Sequence, residues 1–278
     1  MAEANAGEAA SWQSGIGQTW VRQAQQVDAL QGEVTAELIR RASISPGDAV
    51  LDVGCGAGAS TRAAAAAAGP GGRVTALDIA PAMLEAAARA GEPGVTYVEG
   101  DAQDHAFDAG TYDRIISQFG VMFFADSVAA VANLRRAARP GGRLIFAAWA
   151  GPEENPWFHL ARAAGVAELG DAPGDPDGPG PTRFRDRAGT AALVEEAGWT
   201  EVAAEAVRLD LTPRGPLAEV ADLATRLGPA ARLLRVHGAD DAARARVVAR
   251  LEAAFAPFAR KGRVRIPALV NFVSASAP

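Results

Sequence analysis

The chain has one cysteine, three histidines and no excess of basic residues. A lone cysteine cannot build an internal disulfide framework, and it suits a reducing, cytoplasmic setting. Cys55 and the scattered His105, His159 and His237 have no zinc-ligand spacing. The acids form no recognisable magnesium pattern either, so no metal is expected. A net charge of −6 leaves no basic face, and nucleic acid is not the expected partner. No apolar run is long enough for a membrane-spanning helix. The opening "MAEANAGEAASW" lacks a basic start and an apolar centre, and does not read as a signal peptide. The alanine run Ala63 to Ala68 lies between Ser60-Thr61-Arg62 and Gly69-Pro70. Those flanks predict a short soluble helix with a cap and a stop.

Hydrophobic residues make up 49% of 278, enough for one large domain or a domain with a smaller cap. Residues 11–42 read as helix on the spacing of Val27, Leu30, Val34, Leu38 and Ile39, with Gly32 a weak point. Five short apolar strands follow, in "PGDAVLDVG", "GGRVTALD", "VTYVEGD", "YDRIISQFG" and "RPGGRLIFAAWA". Helical segments separate them, except that the 101–111 crossover is short, polar and weakly helical. This alternation predicts an α/β fold with a parallel sheet buried on both faces. After Ala150 the rhythm breaks. A helix is expected in "PEENPWFHLARAAGVAELG" and another in "DRAGTAALVEEAGW". A strand follows in "TEVAAEAVRLDL", then helices near 216–227 and 240–259 and a last strand in "VRIPALVNFVSA". The breaker-rich 170–181 segment reads as a solvated loop or as the mobile edge of a substrate lid.

The stretch "VLDVGCGAGAS" places Gly54, Gly56 and Gly58 between a strand and a helix. Such a turn exposes backbone N–H groups at a positive helix end. Gly54, Gly56 and Ala59 also fit the dinucleotide fingerprint, with Asp78 about 20 residues further on. Asp52 argues against a dinucleotide, because a carboxylate beside the loop repels a pyrophosphate. S-adenosylmethionine carries an ammonium, a carboxylate and a sulfonium, and no phosphate. Asp52 and the Gly54 carbonyl can accept from its ammonium, directly or through water. Bare glycine backbone admits its methionine part. Asp78 ends the second strand and can accept the ribose hydroxyls. Asp101 ends the third and can accept the adenine amino group, with the Ala102 N–H donating to the ring. Open α/β sheets bind ligands at these strand ends.

With those residues in place, 46–150 resembles the class I S-adenosylmethionine-dependent methyltransferases, and in particular bacterial relatives of the ubiquinone/menaquinone-biosynthesis enzymes. "VLDVGCGAG" is similar to the family's first motif, "ALDIAPAML" to its ribose segment and "EGDAQDHAF" to its adenine segment. "YDRIISQFGVMFF" and "LRRAARPGGRLIFAAW" resemble its fourth strand and the turn into its fifth. The likeness is looser over 1–30 and 151–278, where the family builds substrate pockets. It implies a Rossmann-like, doubly wound, seven-stranded sheet, mostly parallel with an antiparallel last strand, plus an inserted helical cap. The organisation expected is a helical lid over 1–42, a cofactor core over 43–150, a cap and loop over 151–200, and strands and helices completing the sheet over 201–278. Ile79 and Met83 would pack beside the adenosine, and Gln118 and Phe119 would line the sulfonium end. Cys55 would be a small residue between Gly54 and Gly56. Met122, Phe123 and Phe124 are expected in the core rather than the pocket. "SWQSGIGQTW" would fold over the cofactor, with Trp20 as its lid or as the anchor of the first helix.

Methyl transfer from sulfonium is an in-line displacement that needs alignment and exclusion of water. A general base helps where the nucleophile is a hydroxyl or an ammonium. His159, on the expected cap helix, is the candidate base. His105 reads as a loop residue near the cofactor, and His237 has no role. Trp149, Trp157 and Phe158 suit a small, partly apolar or aromatic methyl acceptor. The sequence does not distinguish oxygen, nitrogen, carbon and sulfur acceptors, nor the oligomeric state. Two other readings stand beside this one. An NAD(P)-dependent oxidoreductase satisfies the fingerprint but lacks an obvious catalytic Tyr/Lys pair. A non-catalytic S-adenosylmethionine-binding protein would keep the same site.

Overall fold

The computed structural model describes residues 5–89 and 91–278. The first four residues of the expected lid lie outside them. Helices α1 (Ala6–Gln13), α2 (Gly15–Arg22), α3 (Ala24–Leu30) and α4 (Gly32–Ala42) lead into strand β1 (Ala49–Val53). The core continues with α5 (Ala59–Ala68), β2 (Arg73–Asp78), α6 (Pro81–Ala88), β3 (Val95–Glu99), β4 (Tyr112–Gln118), α7 (Ser127–Ala137) and β5 (Ala138–Trp149). Then come α8 (Pro156–Leu169), α9 (Arg187–Glu196), β6 (Thr200–Leu211), α10 (Leu217–Ala224), α11 (Pro229–Val236) and α12 (Asp241–Phe255). The two-residue strands β7 (Ala259–Arg260) and β8 (Arg263–Val264) form a ribbon before β9 (Ile266–Ser276).

Seven strands form one sheet in the order β3-β2-β1-β4-β5-β9-β6. The pairs from β3 to β5 are parallel, and β9 runs antiparallel to both β5 and β6. The last strand of the chain therefore inserts between two earlier ones. Every residue of β1 is buried, as expected for a parallel strand covered on both faces. β6 lies at the edge and shows more of itself to solvent. The strand order reverses between β1 and β4, which leaves a crevice at their carboxyl ends. No helix forms between β3 and β4, in keeping with the polar 101–111 crossover.

The single helix expected over 11–42 is instead broken at Ser14, Gln23 and Gln31. The corner between α1 and α2 is tight: a Cβ on Gly17 would run into the Trp12 carbonyl. That corner folds the first helix back over the strand ends. From α4 onward the segment packs as its spacing predicts, with Val34, Leu38 and Ala42 buried. The alanine run does form α5, stopped at Gly69 in the left-handed region (φ 66). Its N-cap is Gly58 rather than a hydroxyl residue. Helix α11 was not anticipated. It packs against α8, and α12 packs against both α8 and α10, so this helical group is built from two separate segments of chain. α9 lies instead on β6 and β9.

Candidate functional site

A deep cavity opens at the carboxyl ends of β1, β2, β3 and β4, beneath α1 and α2 and beside α8. Its floor is the turn between β1 and α5. The three glycines of that turn all have positive φ, for three different reasons. Gly54 (φ +66) packs on Gly120, where an added Cβ would lie 2.8 Å from the Gly120 Cα. Gly58 (φ +89) faces α6, with Ala87 3.0 Å from where a Cβ would sit. Gly56 (φ +55) has only the Met83 methyl at 3.8 Å, so its open side is the cavity.

Asp78, at the end of β2, lies on the cavity wall and accepts from the Gly56 N–H at 2.8 Å and the Ala80 N–H at 2.9 Å. One bond on each oxygen leaves acceptor capacity toward the cavity. Burial raises its pKa against these bonds. Asp101, past the end of β3, is also on the wall. Its carboxylate accepts from the Gln103 N–H and from the Asn5 side-chain amide, both at 2.9 Å. Ile79, Met83 and Ala102 line the cavity as well. Cys55 lines it too, and burial pushes its thiol well above the ordinary range. It therefore packs as a small apolar group rather than acting as a nucleophile.

Asp52 departs from expectation. It is fully buried and does not face the cavity. One of its oxygens accepts from the hydroxyls of Ser60 (2.7 Å) and Thr61 (2.6 Å), tying the start of α5 to β1. The other is buried without a partner among the described residues. Burial raises its pKa to about 6. Direct contact with a ligand is therefore excluded in this geometry, and Asp52 acts beneath the loop.

His159 also departs from expectation. It is exposed and lies off the cavity wall, whereas its neighbours Trp157 and Phe158 are buried and on it. Successive helical residues diverge by about 100°, so the aromatic pair turns inward and the histidine outward. The structure removes it as a base.

The other end of the cavity is aromatic. Phe119 adopts a left-handed backbone (φ 64) just after β4 and stacks on Trp149 at 4.1 Å with a 6° interplanar angle. Phe158 meets Trp149 edge-on at 5.1 Å. Met122, Phe123 and Phe124, expected in the core, all reach the wall as well. Trp20 is on the wall and meets Trp12 at 5.7 Å, and Trp12 meets Phe123 at 5.2 Å. The Gln13 amide donates to the Ile79 carbonyl (3.2 Å), closing α1 over the end of β2. The 170–181 segment is held by the Gly180 N–H on the Met122 carbonyl (2.9 Å), and Pro181 touches the cavity.

Sequence reasoning missed Glu8, Asp28 and Gln31, and reached Trp12 only as part of the segment expected to fold over the cofactor; all four are on the wall. They lie in the broken N-terminal helices, where only the break itself is a signal. The ionisable side chains bearing oxygen on the wall are Glu8, Asp28, Asp78 and Asp101. Among the described residues no lysine, arginine or histidine lines it. Asp28 is paired with Arg62 at 2.6 Å, while burial raises the pKa of both Glu8 and Asp28.

A methyltransferase-domain family model matches residues 51–146. A demethylmenaquinone methyltransferase from Beutenbergia cavernae is 31% identical over 182 residues, covering 59% of this chain and 73% of that protein. A nocamycin O-methyltransferase from Saccharothrix syringae is 43% identical over 103 residues, 36% of this chain and 37% of that one. The chain spans half or less of the length of several other curated relatives it matches. A crystal structure described as a putative methyltransferase from an antibiotic biosynthesis pathway, from Anabaena variabilis, superposes with a TM-score of 0.61 at 15% identity. It covers 89% of this chain and 99% of that one, and shows the same fold.

Proposed function

The chain belongs to the class I S-adenosylmethionine-dependent methyltransferases, and from that premise we propose that it methylates a small, partly apolar or aromatic acceptor. The observation that carries the cofactor is the charge of the wall: carboxylates and no cationic side chain among the described residues. Such a wall attracts a ligand bearing an ammonium and a sulfonium, and repels a pyrophosphate. This replaces the argument from Asp52, and it weighs against an NAD(P)-dependent oxidoreductase. The cofactor supplies an electrophilic methyl group on sulfur. Asp78 would hold the ribose hydroxyls, and Asp101 beside Ala102 the adenine edge. The Gly54–Gly56 backbone would accept and orient the methionine end, with Gln118 and Phe119 beside the sulfonium. The aromatic wall of Phe119, Trp149 and Phe158 would exclude water and align the acceptor.

An oxygen acceptor is the reading we favour, since the names of two relatives describe O-methyltransferases. A histidine base has no place on this wall, so the acceptor oxygen would arrive ionised or lose its proton to water or to a wall carboxylate such as Glu8. A single cysteine is what supports a reducing cytoplasmic setting. Among the described residues no helix is long and apolar enough to cross a membrane.

Calorimetric titration with S-adenosylmethionine, S-adenosylhomocysteine and NADH tests the cofactor. Binding of the first two alone is the expected result, and binding of NADH alone overturns the proposal. Turnover on a panel of aromatic hydroxyl and carboxyl acceptors, with S-adenosylhomocysteine as the product measured, then separates an enzyme from a binding protein.

A further inference from the structure

Gln31 sits at the break between α3 and α4. It is only 9% exposed, and it lies on the cavity wall. Its amide oxygen accepts from Gln118 Nε2 at 3.0 Å. Gln118 Oε1 in turn accepts from the Thr35 hydroxyl at 2.8 Å. That hydroxyl lies farther, 3.3 Å, from the Gln31 main-chain carbonyl, so the Gln118 amide oxygen is its nearer acceptor. The donor–acceptor order in the structure therefore runs from Thr35 through Gln118 to Gln31. With Gln118 Oε1 toward Thr35, its Nε2 must face Gln31. With Gln31 Oε1 toward Gln118, the Gln31 Nε2 is the free end. No acceptor among the described residues holds it.

A donor that opens on the cavity meets water there until a ligand oxygen takes the water's place. The position suits the acceptor rather than the adenosine. Gln118 ends β4, Phe119 follows it, and Phe119 stacks on Trp149 in the aromatic part of the cavity. Asp78 and Asp101, the proposed adenosine partners, lie at the ends of β2 and β3 on the other side of β1.

We propose that Gln31 Nε2 recognises a carbonyl, phenolate or carboxylate oxygen on an aromatic methyl acceptor, and so sets the acceptor class. The inference rests on the methyltransferase reading above. The N–H groups favour a neutral or anionic oxygen and give nothing to a hydrocarbon of the same shape. With no histidine on the wall among the described residues, a donor that favours the ionised oxygen helps a wall carboxylate or water take its proton. Thr35 and Gln118 act through Gln31 as positioning residues.

The test uses the full chain saturated with S-adenosylhomocysteine. Binding of 2-naphthol, 2-naphthoate and 2-methylnaphthalene is followed by quenching of tryptophan fluorescence. The wild type should bind the two oxygenated probes at least tenfold more tightly than the hydrocarbon. Gln31→Leu should narrow that gap to about threefold, while the affinity for S-adenosylhomocysteine stays within twofold. Gln31→Glu keeps the shape and reverses the hydrogen-bonding character, so it should reject 2-naphthoate and retain 2-naphthol. It also serves if the leucine variant fails to fold. No preference in the wild type, including no binding of any probe, overturns the proposal. So does a Gln31→Leu protein that keeps the preference, or one that loses S-adenosylhomocysteine along with it. Failure of the wild type to bind S-adenosylhomocysteine at all would instead strike the methyltransferase reading beneath it.

Discussion

Gly54 and Gly120 pack backbone to backbone, so that a Cβ on Gly54 would lie 2.8 Å from the Gly120 Cα and one on Gly120 would lie 2.9 Å from the Gly54 Cα. The first glycine of the loop is therefore demanded by the crossing of two chain segments, before any ligand is considered. Gly54→Ala meets both a left-handed backbone and fixed main-chain atoms. The left-handed backbone costs about 1–2 kcal/mol and the overpacking about 1–3 kcal/mol. Gly56→Ala meets the left-handed backbone alone, about 1–2 kcal/mol, but its methyl enters the cavity. Thermal melts should show a large fall for Gly54→Ala and a small one for Gly56→Ala. Cofactor titrations should show Gly56→Ala binding more weakly despite its intact fold. Equal melting temperatures for the two variants would contradict the packing argument.

Asp78 connects the loop to the ligand. Its carboxylate holds the Gly56 N–H and the Ala80 N–H and still faces the cavity. Asp78→Ala removes the proposed ribose acceptor and loosens the loop. Hydrogen bonds to a charged group contribute about 1.5–3 kcal/mol each. S-adenosylhomocysteine affinity should fall by roughly ten- to a hundredfold. Unchanged affinity by calorimetry would remove Asp78 from the ribose site.

The core strands were legible because continuous apolar runs between glycine-rich turns admit few other structures, and 200–211 formed β6 where the pattern put it. The insertion of β9 between β5 and β6 is a non-local pairing, which the family resemblance anticipates only as an antiparallel last strand. The break at Gln23 was hidden because glutamine is a good helix former, whereas the breaks at Gln31 and Ser14 fall beside Gly32 and Gly15, where the pattern is weak. Asp52 was misjudged for a related reason. In a strand buried on both faces, the pattern does not say which face looks at the ligand. Met122 and Phe124 do lie in the core, with Phe123 packed on it, and all three also reach the wall, a double role that spacing does not show.

Asp52 makes the protein's stability depend on acidity in a definite direction. Its pKa rises from 3.8 to about 6 on folding, chiefly through burial, against the hydroxyl bonds from Thr61 and Ser60. The folded state therefore binds the proton more tightly than the unfolded state. The contribution is fully present below pH 3.8 and is lost as the pH rises through about 6. Two units correspond to about 3 kcal/mol. Asp78 is shifted in the same direction, so only a comparison isolates Asp52. Asp52→Asn should flatten the fall in denaturant stability between about pH 4 and 6. A wild type and variant with parallel pH profiles would show that Asp52 keeps an ordinary pKa.

Trp12 ties the first helix across the cavity mouth through Trp20 and Phe123. Little else holds α1 there beyond the Gln13 bond to Ile79 and the Asn5 bond to Asp101. Trp12→Ala should leave the melting temperature nearly unchanged, because the sheet core does not depend on it. Stopped-flow measurement should show S-adenosylhomocysteine leaving about tenfold faster with a nearly constant association rate. A slower association with unchanged dissociation would mean that the helix guides entry rather than retaining the ligand.

His159 offers a sharp negative test of the wall's chemistry. It is exposed on α8, while Trp157 and Phe158 on the same turn face the cavity. A base must come within hydrogen-bond reach of the proton it removes, directly or through one water. Reaching the cavity would require α8 to rotate and carry both buried aromatic side chains out, at a cost of about 1.5–3 kcal/mol for each such group. His159→Ala should therefore turn over any acceptor the wild type methylates within about twofold, whereas loss of a general base typically costs 10²–10⁴-fold. The pH profile should shift with the acidity of the acceptor and be indifferent to the variant. A hundredfold loss in His159→Ala, with the cofactor still bound, would mean that the helix turns during catalysis and that the aromatic wall is rebuilt when the acceptor arrives.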